Sequence, residues 1–141
     1  MRCRLLSCGD AAVLVEVDGT AEVLALYSAV EGERPAELVD LVPAARTLLV
    51  QVQPGTPLEP LRRRLMDLAD ATDPGQGALE SDGEDLVVPT VYDGEDLDEV
   101  AKLTGLSVPE VVDAHTGTAW RVAFSGFAPG FAYLTGGDAR L

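Results

Sequence analysis

Apolar and polar positions alternate with two different periods along the chain, and each change of period marks a new element. Residues 3–8 (CRLLSC) and 11–17 (AAVLVEV) flank Gly9-Asp10 at the spacing of a two-residue hairpin, and Val13, Val15 and Val17 fall on one face of the second strand. Over 20–31, Val23, Leu24, Tyr27 and Val30 recur at helical spacing, with Gly32 as the expected stop. Residues 37–42 (ELVDLV) and 47–53 (TLLVQVQ) predict a second strand pair around Pro43-Ala44-Ala45-Arg46. In the helix that follows, Leu58, Leu61, Leu65 and Leu68 form the apolar stripe, and Thr56 with Glu59 has the spacing of a capping box. The order β-β-α-β-β-α predicts an α+β domain of two layers, an antiparallel sheet covered on one face by two helices.

The pattern then lapses. Residues 73–85 (DPGQGALESDGED) are rich in Gly, Asp and Glu without an apolar period, which predicts a linker and divides the chain into domains at 1–80 and 81–141. The second part is predicted to open with a strand over 86–92 (LVVPTVY), placed at an edge by Pro89. Two short helices follow. The first carries Leu97, Val100 and Leu103, with Asp96 and Glu99 as its start and Gly105 as its stop; the second begins with Ser107 and Glu110 as a capping box and stops at Gly117. A strand over 119–127 (AWRVAFSGF) sets Trp120, Val122, Phe124 and Gly126 on one face. Two strands and two short helices leave strand edges and an aromatic face uncovered, so the second domain is expected to be incomplete. Its remainder would lie beyond Leu141 or in another chain.

Composition narrows the class. The 141 residues are 47% hydrophobic with a formal net charge of −14, the balance of a globular chain that repels phosphate backbones and anionic lipid. Neither nucleic acid nor a membrane is an expected partner. No apolar run approaches the roughly 20 residues of a membrane span, and MRCRLLSCGD has no signal-peptide core, so the expected location is the cytoplasm. With one histidine, His115, and no CxxC, no metal site is predicted.

Five of the seven aromatic residues lie between 120 and 133, and from 123 to 137 the chain reads AFSGFAPGFAYLTGG. Gly126 would admit a close backbone or ligand, and Ala128-Pro129-Gly130-Phe131 has Pro and Gly where a type II turn needs them, setting Phe127 and Phe131 about a bend. The rings are either a binding rim or core of the second domain. His115 is expected on the inward side of its helix with Val111 and Val112, either as a polar site residue or as a last-turn residue facing helix carbonyls. Tyr92-Asp93-Gly94-Glu95-Asp96 places three carboxylates beside a phenol, which a helix start also explains. No GxSxG, GxGxxG or GxxxxGK[ST] is present, and the one lysine, Lys102, sits within a helix.

The stretch His115…Trp120-x-Val122-x-Phe124-x-Gly126-Phe127-x-Pro129-Gly130-Phe131-x-Tyr133-Leu134 resembles the family that contains the B-type subunit of 5-oxoprolinase (PxpB), the kinase inhibitor KipI and allophanate hydrolase subunit 1. Gly9-Asp10, Val42-Pro43 and Pro89 to Asp96 ahead of Leu106-Ser107 extend the likeness through nearly the whole chain, although Asp93 stands where the family has glycine. The resemblance implies that the second domain is an incomplete, C-terminally truncated cyclophilin-like β-barrel of carboxyltransferase type. It further implies a hydrolase subunit, inactive alone, of a bacterial ATP-dependent 5-oxoprolinase that opens 5-oxoproline to glutamate. ATP would be bound by a hetero-oligomer with two partners. One is a homologous KipA-like subunit, the C-type chain of 5-oxoprolinase or subunit 2 of allophanate hydrolase; the other is the LamB/YcsF-like, A-type chain. By the same resemblance His115 is the catalytic candidate, Phe127, Pro129, Gly130, Phe131 and Tyr133 shape the cleft, and Tyr92, Glu95, Asp96 and Gly126 are secondary candidates. Allophanate hydrolase or urea-carboxylase chemistry and KipI-like inhibition of a sensor histidine kinase are the alternatives.

Overall fold

The computed structural model describes residues 1–75 and 85–141, which belong to two compact units, Met1–Ser81 and Asp82–Leu141. Both are α+β with antiparallel sheets. The expected boundary at 80/81 and most of the expected linker 73–85 lie outside the described residues.

In the first unit, strands β1 (Cys3–Ser7), β2 (Ala12–Val17), β3 (Leu38–Pro43) and β4 (Thr47–Val52) form an antiparallel sheet in the order β1-β2-β4-β3, with helices α1 (Thr20–Glu33) and α2 (Leu58–Ala71). The period of two does the sorting. Val13, Val15 and Val17 of β2 and Leu48, Val50 and Val52 of β4 turn inward, where Val23, Leu26 and Val30 of α1 and Leu61, Leu65 and Ala69 of α2 cover them. Among the described residues, every large side chain below 2% exposure belongs to this unit. At about 1.5–3 kcal/mol for each fully buried aliphatic side chain, this core is the main stabilising term of the described structure.

Three local expectations are corrected here. The β1–β2 connection takes Cys8 to Ala11, wider than a two-residue turn, with Gly9 at φ 68°. Helix α1 runs through Gly32 and ends at Arg34, because the residue before Pro35 is sterically barred from helical geometry, whereas an interior glycine costs only about 1 kcal/mol. Helix α2 begins one residue late for the Thr56–Glu59 box: Pro57 is its N-cap, and the Thr56 amide donates to the Gln53 carbonyl in a preceding turn.

The second unit holds α3 (Leu97–Thr104), α4 (Val108–Thr116) and a hairpin of β5 (Trp120–Ser125) and β6 (Ala132–Gly136). Gly105, at φ 72°, ends α3 in the left-handed conformation, and Ser107 with Glu110 forms the capping box of α4. Asp96 occupies the N-cap of α3 but makes no side-chain cap bond. Among the described residues of this unit the buried apolar ones are few: Ala101, Val111, Ala114, Ala123 and Phe124.

The expected strand over 86–92 does not form. A strand exists only by pairing, and no described segment pairs with these residues; Leu86 is 85% exposed, and Val87, Val88 and Val91 are exposed with it. The single-face alternation of Trp120, Val122, Phe124 and Gly126 is also broken. Val122 pairs with Leu134 and Phe124 with Tyr133, so a bulge at Ala123 puts Phe124 out of phase with Trp120 and Val122.

Candidate functional site

The chemistry-bearing side chains of the second unit gather into two aromatic groups, one on each side of the bulge. The first joins residues far apart in sequence. His115 sits in the last turn of α4, where it is exposed and not inward-facing as its helical phase predicts. Its Nδ1 lies 2.6 Å from the phenol oxygen of Tyr92, whose ring meets the imidazole edge-on at 5.8 Å between centroids and 77°. Trp120, at the start of β5, also packs its indole near the imidazole, with ring centroids 5.2 Å apart and planes tilted by 39°. The Trp120 Nε1–H also donates to the backbone carbonyl of His115 at 2.8 Å.

Trp120 is held in turn by the end of β6. A Cβ at Gly137, where φ is 78°, would overlap the indole ring, so only glycine lets the ring lie over this turn. Sequence reasoning placed Trp120 on a strand face and missed its part in the His115 group. The available signal was local: an indole five residues beyond a helix-end histidine, across a Gly-Thr connection too short to let the two diverge.

The second group is built by the bend between β5 and β6. Pro129 and Gly130, the latter at φ 77°, occupy the corners of the turn, and the Phe131 amide donates to the Ala128 carbonyl at 3.0 Å, as a type II turn requires. The Gly126 amide closes the loop by donating to the Phe131 carbonyl at 2.9 Å. Gly126 does admit a close neighbour, and that neighbour is the Phe131 ring, which a Cβ there would overlap. Phe131 meets Tyr133 edge-on at 5.2 Å and 81°, and Tyr133 lies 4.8 Å from the buried Phe124, so three rings run in series from interior to surface. Phe127 stands apart, 100% exposed, while Phe131 and Tyr133 are about half exposed.

The geometry therefore brings His115 together with Tyr92, and Phe131 together with Tyr133, but no ring contact joins the two groups. Glu95 and Asp96 are exposed at the start of α3 and take no part in either. Among the described residues, no cluster of His, Cys, Asp or Glu is placed to hold a metal, and no helix is long and apolar enough to cross a membrane.

Charge is fixed at two points nearby. The Arg140 guanidinium hydrogen-bonds the Asp138 carboxylate, which its backbone N–H also contacts, and this holds the Asp138 pKa down to about 2. Glu110 is likewise held below the usual carboxylate range, by hydrogen bonds from the Ser107 hydroxyl and amide in the α4 capping box.

The family model described as "Carboxyltransferase domain, subdomain C and D" matches residues 3–141. The chain is 29% identical over 167 aligned positions to a Bacillus subtilis (strain 168) protein named as the B-type subunit of 5-oxoprolinase, covering all of this chain and 66% of the relative. It is 43% identical over 60 residues to the Escherichia coli O157:H7 protein of the same name, covering 40% of this chain and 28% of that one. Among solved structures, a crystal structure of TTHA0988 superimposes with a TM-score of 0.62 at 29% identity, over 92% of this chain and 25% of that one. A second crystal form of TTHA0988 gives 0.58 at 32% identity, over 99% and 26%. The chain thus spans less than two thirds of each of these relatives.

Proposed function

The chain belongs to the family of the carboxyltransferase domain, subdomains C and D, and from that premise we propose that it is a subunit of an ATP-dependent 5-oxoprolinase, not active alone. The assembled enzyme, which would include a KipA-like and a LamB/YcsF-like partner, would convert 5-oxoproline, ATP and water to glutamate, ADP and phosphate. The relatives named as B-type subunits of 5-oxoprolinase support the choice of substrate.

The observation that carries a multi-subunit role is the unfinished surface of the second unit. Phe127 is fully exposed, Phe131 and Tyr133 are half exposed, the β5–β6 ribbon has only two strands, and the apolar segment 86–91 has no strand partner among the described residues. A two-stranded ribbon with uncovered apolar neighbours is marginal in water, and covering it is favourable by about 25 cal/mol per Å² of apolar surface. A completed cyclophilin-like barrel, meeting that of the KipA-like subunit, would supply the cover. In this arrangement Phe127, Pro129, Gly130, Phe131 and Tyr133 shape the surface toward the partner, and His115 supplies hydrogen bonding or proton transfer from the other aromatic group.

The sequence has no glycine-rich phosphate loop, and the Arg140 guanidinium is engaged by Asp138. We assign ATP to the assembled complex, and no step through it is given to this chain.

The test is co-expression with the KipA-like and LamB/YcsF-like subunits, followed by an assay of ATP-dependent glutamate release from 5-oxoproline. Release that needs all three chains is the expected result. Turnover of allophanate instead, or inhibition of sensor-kinase autophosphorylation without turnover, would replace the proposal. In the active complex His115→Ala is expected to lower turnover by about 100-fold or more, the usual scale for loss of a proton-transfer group.

A further inference from the structure

We propose that Tyr92 and Trp120 are positioning residues that hold His115 as its Nε2–H tautomer, with that N–H turned outward to an acceptor oxygen of a ligand. The inference rests on the role of His115 proposed above, but its physical content can be read without any assay of turnover.

An exposed histidine at a helix end ordinarily samples several rotamers and both tautomers. Here three restraints converge on one ring. The Tyr92 phenol oxygen reaches Nδ1 at 2.6 Å, the Trp120 indole packs on the imidazole at 5.2 Å, and the indole N–H is bonded to the backbone carbonyl of the same histidine. The overlap that a Cβ at Gly137 would produce shows how closely the indole itself is held.

The direction of the short bond follows from acidity. A phenol O–H is a better donor than the N–H of a neutral imidazole, whose unprotonated nitrogen is a good acceptor. The shared proton therefore stays on the Tyr92 oxygen, Nδ1 accepts, and the ring's own proton resides on Nε2. Among the described residues Nε2 has no hydrogen-bond partner. What remains is an oriented N–H donor suited to a carbonyl, carboxylate or phosphoryl oxygen.

His115 is the chain's one histidine, so its imidazole nitrogens give a single set of NMR signals. In the purified protein at mildly alkaline pH, the Nε2 signal should fall at the protonated-nitrogen position and the Nδ1 signal at that of a hydrogen-bonded acceptor, without tautomeric averaging. Tyr92→Phe keeps the ring and removes the hydroxyl; both signals should then move toward the averaged positions of a free imidazole. Averaged signals in the unaltered protein, a proton on Nδ1, or signals unmoved by Tyr92→Phe would each overturn the proposal. Should Tyr92→Phe fail to fold, the unaltered protein's spectrum decides alone. A fixed tautomer combined with undiminished turnover in His115→Ala would leave the positioning intact and sink the catalytic role, whereas the opposite pair of results would sink the positioning alone.

Discussion

The phenol oxygen of Tyr92 lies 2.6 Å from Nδ1 of His115 although 23 positions separate them in the chain. That bond ties the segment ahead of α3 to the last turn of α4, and Trp120 extends the tie into β5. The polar centre of the second unit is thus shared by three elements. A substitution in any of them that moves its side chain should be felt at the imidazole, and the following expectations separate that unit from the first.

Leu26→Ala should destabilise the first unit by about 2–5 kcal/mol, because Leu26 is wholly buried against β-strand valines and the helix cannot collapse into the void left behind. Far-ultraviolet circular dichroism during urea unfolding measures it. A loss below about 1 kcal/mol would mean that the core is looser than its burial indicates.

Gly126→Ala should cost the second unit about 1–3 kcal/mol, because the new methyl occupies the place of the Phe131 ring and pushes it off Tyr133. Trp120 is the chain's one tryptophan, so its fluorescence follows this unit selectively during unfolding. An unchanged transition would show that the bend tolerates a Cβ.

Phe127→Ala should leave stability within about 0.5 kcal/mol, since the ring is fully exposed, yet weaken co-purification with the KipA-like subunit proposed above. Loss of stability without loss of association would assign Phe127 to packing within the chain.

Acid should act on the second unit through Asp138. Its folded pKa of about 2 lies below the reference value of 3.8, so between these values the unfolded chain binds more protons than the folded one. The contribution is therefore complete above about pH 4 and is lost as the pH falls toward about 2. Glu110, depressed by its Ser107 hydrogen bonds, adds a loss of the same sign. Asp138→Asn should flatten the acid limb of a pH–stability profile read at Trp120; an unchanged limb would show that the Arg140 pair does not contribute.

How much of this was legible in the sequence depended on how far apart the interacting residues are. Ser107 and Glu110 are three residues apart, and their capping box was readable from spacing, as were the glycine stop of α3 and the Pro129-Gly130 turn. Thr56 and Glu59 had the same spacing but made no box, because the chain ahead of α2 is already spent on a turn to Gln53. The relation of His115 to Tyr92 carries no local signature at all. Nor does the bulge at Ala123, which depends on how β6 meets β5 and which parted Phe124 from Trp120.

The sequence by itself determined the β-β-α-β-β-α order of the first unit, because a period of two or of 3.6 decides within a few residues which face of an element must leave water. Only tertiary structure decided that 86–92 is not a strand, that His115 faces outward, and that its partner is a phenol. The reason is common to all three: a strand needs another backbone to bond with, and a side chain's surroundings are set by elements that arrive from elsewhere in the chain.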